Sequence, residues 1–165
     1  MGSWVLTKRV VFPQDTNRAP LEYSLIHSLN ESLSVGVEYD YMEGQVHPVV
    51  IYRALEATEG RPAIILGTSS AWPSGEVDGN AATLTASQML NDDLNFSLGV
   101  AQILETEEWR YPGSISYQVK EDLSITLMYD GDNLHPILTV DRSGASFQFI
   151  LLGGEDPAVA VSLFQ

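Results

Sequence analysis

Cysteine is absent from this 165-residue chain, which excludes disulfide bonds and thiolate metal sites. Basic residues are scarce, because eight lysines and arginines stand against 22 aspartates and glutamates, for a net charge of −14. Such a chain is a poor electrostatic match for nucleic acid or for anionic lipid headgroups, since both attract basic surfaces. We therefore expect no nucleic-acid partner.

Long apolar runs are also missing, and none approaches the roughly 18 residues of a membrane-spanning helix. Charged residues make up only 18% of the chain, below the roughly 25% of a typical soluble domain. The first residues, Met1-Gly2-Ser3-Trp4, lack the basic start and apolar core of a secretory signal. We expect either a protein that is not exported or a mature segment, folded as one domain over residues 1–165.

What the chain does have is alternation. Large apolar and small polar residues alternate in Leu94-Asn95-Phe96-Ser97-Leu98-Gly99-Val100, which predicts a strand with one apolar face. Polar turns precede similar segments that begin at Leu33, Ala63, Leu94 and Leu123, in steps of 30, 31 and 29 residues. A step of about 30 residues holds two strands and two turns, so the repeating unit is a hairpin.

About twelve strands with short connections follow from this pattern. The longer gaps, at 13–19, 72–79 and 105–111, fall at one end of the hairpins, which we call the loop end. The short polar turns fall at the other, the turn end. The predicted strands are 4–12, 20–30, 33–42, 46–56, 62–71, 80–90, 94–104, 112–120, 123–130, 134–142, 145–153 and 158–164.

The two faces of these strands differ in composition. Polar positions hold small residues such as Ser97, Ser116 and Thr126, while the opposite faces carry almost no charge. Because a charge at the bilayer midplane of a barrel costs about 2–4 kcal/mol, an uncharged apolar face suits contact with lipid. Aromatic residues near the loop end would form an interfacial girdle. These are Tyr39, Tyr41, Trp72, Trp109, Tyr111 and Tyr129.

This pattern of strands and turns resembles the bacterial outer-membrane β-barrel proteins of the up-and-down type, over nearly the whole chain. The resemblance implies an all-β, antiparallel, transmembrane barrel in the bacterial outer membrane, with membrane lipid as its partner. It implies a structural or narrow pore-forming role without enzymatic activity or cofactor, although Phe164-Gln165 departs from the aromatic residue at which the family usually ends. The alternative is a soluble β-barrel that encloses its apolar face and binds a small apolar ligand.

Charged residues and histidines are scarce in this chain, and they are the candidates for side chains that face the lumen of the barrel. We expect Asp40 to lie across a hairpin from His47, and Asp130 across another from His135, as structural pairs rather than proton relays or metal sites. The pairs lie six strands apart, so one site using both histidines is not expected. Arg53 and nearby carboxylates, including Glu22, are expected to plug the lumen or line a narrow pore. The lumen-facing candidates are Glu38, Asp40, His47, Arg53, Asp130, His135 and Asp141.

The sequence argues against a catalytic site and against a calcium-binding loop. His27 and Ser28 point to opposite faces of a strand, and we find no nucleophile–base–orienter set, so we expect no enzyme. The segment Asp130-Gly131-Asp132-Asn133 lacks the remaining ligands of a calcium loop, which favours a tight turn. Lys8 and Arg9 are likewise adjacent, so they cannot both face inward.

Overall fold

Thirteen strands make up the regular structure in a computed structural model that describes residues 2–12, 20–41, 44–70 and 80–165. Within these residues, no helix is long and apolar enough to cross a membrane. The strands are β1 (Trp4–Val11), β2 (Leu21–Ser28), β3 (Leu33–Asp40), β4 (Gln45–Leu55), β5 (Ala63–Ser69), β6 (Ala81–Met89), β7 (Leu94–Ile103), β8 (Trp109–Arg110), β9 (Gly113–Lys120), β10 (Leu123–Tyr129), β11 (Leu134–Arg142), β12 (Ala145–Leu152) and β13 (Asp156–Phe164).

The strands close into a ring. Apart from β8, each strand pairs antiparallel with the ring strands before and after it along the chain, with β7 pairing to β9, and β1 pairs with β13, which closes the ring. Among the described strands, β8 alone is an addition to the ring, because it pairs with β7 next to the stretch of β7 that pairs with β9. The molecule is therefore a twelve-stranded closed antiparallel barrel, as predicted.

The short strand β8 lies where a loop over 105–111 was predicted. Trp109 and Arg110 pair with Gln102 and Ala101, and the Gly99 N–H donates to the Pro112 carbonyl at 2.8 Å. The β7–β9 ladder thus continues past Pro112, and the loop is shorter than predicted. A proline at this position has no N–H to donate, which divides the pairing strand into β8 and β9.

An apolar outer wall surrounds the barrel, and we use this name for the outward-facing side chains of the ring strands. Every ring strand contributes a large apolar side chain that is exposed, and Leu98 and Ile125 are 57% and 51% exposed. The opposite arrangement, in which these apolar residues would pack together in a central core, is therefore wrong. One such residue from each ring strand is Leu6, Leu25, Val37, Val50, Leu66, Leu84, Leu98, Ile115, Ile125, Leu138, Phe149 and Leu163.

The inner face carries the small polar residues. The hydroxyls of Ser97 and Ser114 lie 2.7 Å apart, and those of Ser116 and Thr126 are also 2.7 Å apart. These pairs link neighbouring strands side by side on one face. An apolar exterior around a polar interior is the arrangement of a transmembrane barrel, not of a soluble one.

Aromatic residues collect at the loop end of the outer wall. Tyr41, Trp109, Tyr111 and Tyr129 are exposed there. Tyr39 lies opposite the exposed Tyr23 in the β2–β3 register and so shares its outward face. Trp72, the remaining residue of the predicted girdle, lies outside the described residues.

A glycine lies where β2 and β3 come close together. A Cβ atom added to Gly36 would lie 2.2 Å from the backbone oxygen of Leu25 and 2.8 Å from the Cα of Ile26. At Gly67, the nearest atom to an added Cβ is 3.2 Å away. The close packing of β3 against β2 at this point therefore depends on the absence of a side chain at Gly36.

The orientation of the barrel predicts opposite outcomes for lysine on the two faces of β10. Ile125→Lys places a charge in lipid and should lower the free energy of unfolding in lipid vesicles by about 2–4 kcal/mol. Thr126→Lys places the same charge beside an interior cavity of about 300 Å³ whose lining includes six hydroxyl-bearing residues, and it should cost less. Urea titrations followed by tryptophan fluorescence measure both; a larger cost for Thr126→Lys would contradict the orientation.

Crowding at Gly36 predicts a position-specific effect of alanine. Gly36→Ala should lower the free energy of unfolding by about 1–3 kcal/mol, because the new methyl group forces β2 and β3 apart. Gly67→Ala is the matched control on the same inner face and should cost less. The fraction of folded barrel at each urea concentration, read from heat-dependent gel mobility, compares the two variants. Equal losses would refute the steric explanation.

Candidate pore lining

Two rows of polar residues cross the inner face from β1 to β4. Directly opposed residues on paired strands share a face, so the register connects side chains that are distant in sequence. The first row runs through Thr7, Ser24, Glu38 and His47, and the second through Arg9, Glu22, Asp40 and Gln45.

An ion pair holds the second row together. Arg9 Nη2 lies 2.5 Å from Glu22 Oε1, and each side chain is 14% exposed. Asp40 lies directly opposite Glu22 on the next strand. Arg9 was not among the lumen candidates, although the apolar Trp4 and Leu6, an even number of positions from Lys8, could have placed Arg9 on the opposite, inward face.

Glu38 is buried in the first row at 8% exposure. Its carboxylate accepts hydrogen bonds from the Ser70 N–H at 2.6 Å, the Ser70 hydroxyl at 2.9 Å and the Ser69 hydroxyl at 3.2 Å. Ser69 is the last residue of β5 and Ser70 follows it directly. Strand β5 lies two strands away from β3 along the ring. Glu38 thus ties the end of β5 to the interior of the β1–β4 wall.

The expected Asp40–His47 opposition is wrong by two residues. His47 lies opposite Glu38, and Asp40 lies opposite Gln45. The Gly44 N–H donates to the Asp40 carbonyl at 3.0 Å, so the hairpin closes directly after Asp40. The length of the connecting turn sets which residues of the two strands lie opposite each other. The sequence pattern did not define that length, and the predicted pairing was two residues off.

A cavity of about 140 Å³ lies against these rows. Its lining includes three carboxyl groups, from Glu22, Glu38 and Asp40, and one guanidinium, from Arg9. We call these four residues the charged wall. The imbalance makes this part of the interior attractive to cations.

The interior lined by β5, β6, β7, β9 and β10 is different. A cavity of about 300 Å³ there has no charged residue in its lining. We call its hydroxyl-bearing residues the hydroxyl wall. They are Ser69, Thr83, Thr85, Ser97, Ser114 and Thr126.

Asp130 and His135 form a fully buried pair. Asp130 Oδ2 lies 2.9 Å from His135 Nε2, and the Gly153 N–H donates to His135 Nδ1 at 2.9 Å. Because Nδ1 accepts that bond, the ring proton belongs on Nε2, facing the carboxylate. The register places Met128, rather than Asp130, directly opposite His135, so Asp130 reaches the histidine from beyond the strand end.

The same aspartate organises the turn that follows. Asp130 Oδ1 accepts hydrogen bonds from the backbone N–H groups of Asp132 and Asn133, at 3.0 and 2.9 Å. Gly131 has a φ of +102°, which favours glycine. This arrangement is the predicted tight turn, and the buried pair serves it as a structural anchor. Among the described residues, no group of three or more His, Asp or Glu side chains could hold a metal ion.

Arg53 and Asp141 lie toward the turn end. Arg53 is 45% exposed, contacts Glu56 at 3.2 Å and lines a turn-end cavity of about 850 Å³ together with Ser28 and Ser34. Asp141 is exposed and lies opposite Ser146. The internal ion pair near the carboxylates is therefore made by Arg9, whereas Arg53 pairs with the turn that follows its strand.

His27 and Ser28 lie on opposite faces. The His27 ring stacks on Trp4 with centroids 4.2 Å apart on the outer wall. The Ser28 hydroxyl lies 3.1 Å from that of Ser34 on the inner face. This separation keeps the two side chains from acting together as nucleophile and base.

Comparison with known proteins bears on the fold. No family model matches the sequence, and no match among curated proteins was found. The chain is similar in structure to a KdgM porin. The TM-score is 0.63, with 13% sequence identity, over 98% of each chain. Together with the apolar outer wall, this likeness to the KdgM porin gives the chain the fold of a porin-like, outer-membrane type of barrel.

The burial of the Asp130–His135 pair predicts unequal costs when one partner is removed from this buried pair and from an exposed ion pair. His135→Ala removes the ring that faces Asp130 Oδ2 in a fully buried site and should lower the free energy of unfolding by about 3 kcal/mol. Arg142→Ala breaks the exposed pair with Asp122 and should cost less than about 1 kcal/mol. Urea unfolding in micelles compares the two; equal costs would show that burial does not govern the pair.

Proposed function

We propose that this protein is a narrow pore of the bacterial outer membrane, without enzymatic activity, that favours small cations over anions. The single observation that carries the proposal is the interior composition within an apolar outer wall. Hydroxyl groups line one part of it, and three carboxyl groups against one guanidinium line another. Charged side chains lining a water-filled pore select ions by their sign.

We further propose that the charged wall is the selective part of the pore. Its support is the Arg9–Glu22 ion pair, whose charged atoms lie 2.5 Å apart and whose side chains are each only 14% exposed, in the lining of the same cavity. Glu38 and Asp40 lie on the neighbouring strand within the same cavity lining. His47, opposite Glu38, and the turn-end residues Arg53 and Asp141 would extend the polar lining, while Asp130 and His135 would only support it.

The chemistry of the proposed lining bears on what could pass. Anionic solutes would meet the carboxyl groups of Glu22, Glu38 and Asp40 and be repelled, whereas neutral solutes could exchange hydrogen bonds with the hydroxyl wall. The name of the KdgM porin describes that protein and supports a pore here only through the shared fold.

Conductance in planar lipid bilayers tests the pore. The wild-type protein should give discrete conductance steps, and its reversal potential in a potassium chloride gradient should indicate cation preference. Glu38→Gln should reduce the ratio of potassium to chloride permeability roughly twofold, and Arg9→Gln should raise it, because the two changes alter the charge of the wall in opposite directions.

A matched control comes from the outer wall. Lys8→Gln changes the net charge by the same amount as Arg9→Gln but outside the interior, so it should leave the permeability ratio unchanged. Folding of each variant is checked by its circular dichroism spectrum in micelles. The absence of steps above the lipid background would indicate a plugged, structural barrel, and anion preference in the wild type would contradict the charge argument.

A further inference from the structure

Lys8 is a cation on the lipid-facing side of the barrel. On β1 it lies directly opposite Tyr23 of β2 and Val161 of β13, and it shares its face with the exposed Leu6. Its Nζ atom lies 5.6 Å from the centroid of the Tyr23 ring. Arg9, the next residue, faces inward to Glu22. Charged residues that face lipid are costly and rare, so Lys8 calls for a functional explanation.

The outer wall offers Lys8 no anion. In the described strands, no outward-facing position holds Asp or Glu, and no described carboxylate forms an ion pair with Lys8. Two other cations lie at outward-facing positions near the turn end: Arg142, which binds Asp122, and Lys120, which lies opposite the outward-facing Leu123. An anion that binds Lys8 would have to come from outside the described residues.

The height of Lys8 brings its ammonium group to the membrane surface. Its register row continues through Tyr23 to Tyr39, a residue of the aromatic girdle at the loop end. Lys8 lies four residues before Phe12, or about 10 Å along the membrane normal for a tilted strand. A lysine side chain spans roughly 6 Å and can extend toward the headgroups. The tyrosine row thus marks the level at which polar lipid groups begin.

We propose that Lys8 and Tyr23 form a binding site for the phosphate of an anionic membrane lipid at the loop end of the barrel. The ammonium group supplies the positive charge, and the Tyr23 hydroxyl supplies a hydrogen-bond donor beside it. A second copy of the chain is a poorer occupant, because its outer wall would bring another Lys8 and no described carboxylate.

The positive charge of this site contrasts with the negative net charge of the whole protein. The net charge of −14 predicts weak attraction to anionic lipid. However, charges more than about 10 Å apart across water are screened from one another, and most carboxylates lie inside the barrel or in its connections. Local contact at Lys8 can therefore bind a phosphate that the net charge would repel. The inference rests on the membrane orientation of the barrel and not on the proposed pore.

Native mass spectrometry of the full chain in detergent micelles tests the site, with phosphatidylglycerol as the anionic probe and phosphatidylcholine as the zwitterionic one. The wild type should retain phosphatidylglycerol in preference to phosphatidylcholine. Lys8→Gln should weaken its binding about fivefold, the effect expected of one lysine near an anionic surface. Lys8→Arg keeps the charge and should retain the lipid.

Arg142→Gln is the matched control, because it removes an outward cation that already has a partner, and it should leave lipid binding unchanged. Equal binding by the wild type and Lys8→Gln would overturn the proposal, as would an equal loss in Arg142→Gln. A wild-type dimer that dissociates in Lys8→Gln without added lipid would instead assign the face to a second copy. A barrel that fails to conduct but binds phosphatidylglycerol through Lys8 would refute the pore and leave the lipid site standing.

Discussion

Closure of the sheet is the constraint on which the structure depends. In the hydrocarbon of a membrane no water is available to backbone N–H and C=O groups, so a sheet with a free edge cannot span it. Pairing of β1 with β13 and of β6 with β7 leaves each ring strand with a neighbour on both sides. The apolar outer wall follows from this, because a closed ring presents one face of every strand to lipid.

Closure also determines how the interior can be used. Twelve strands leave a narrow space, and small side chains such as Ser97, Ser114 and Thr126 fill little of it. Four charged groups lie on neighbouring strands of one wall, where Arg9 and Glu22 pair and Glu38 binds the end of β5. A polar interior of this kind has little hydrophobic packing. Cross-strand hydrogen bonds stabilise the barrel instead.

Two adjacent cations of β1, Lys8 and Arg9, lie on opposite faces of the strand and so in different environments. Arg9 points into the barrel and is neutralised by Glu22, whereas Lys8 points outward next to Tyr23. The alternation of a strand makes this division unavoidable, since consecutive side chains point to opposite faces. Which environment each residue receives depends on register alone, and a shift of one residue would exchange them.

The sequence by itself determined the strands, their number and the apolar identity of one face, because alternation with a period of two is visible in segments such as Leu94–Val100. It also identified the turn at Asp130–Asn133, whose chemistry is local. Only the tertiary structure decided which polar residues meet. His47 lies opposite Glu38 rather than Asp40, Arg9 rather than Arg53 pairs with a carboxylate of the charged wall, and β8 continues a ladder past Pro112. These contacts depend on hairpin register and on ring closure, and neither is encoded in the periodicity of a single strand.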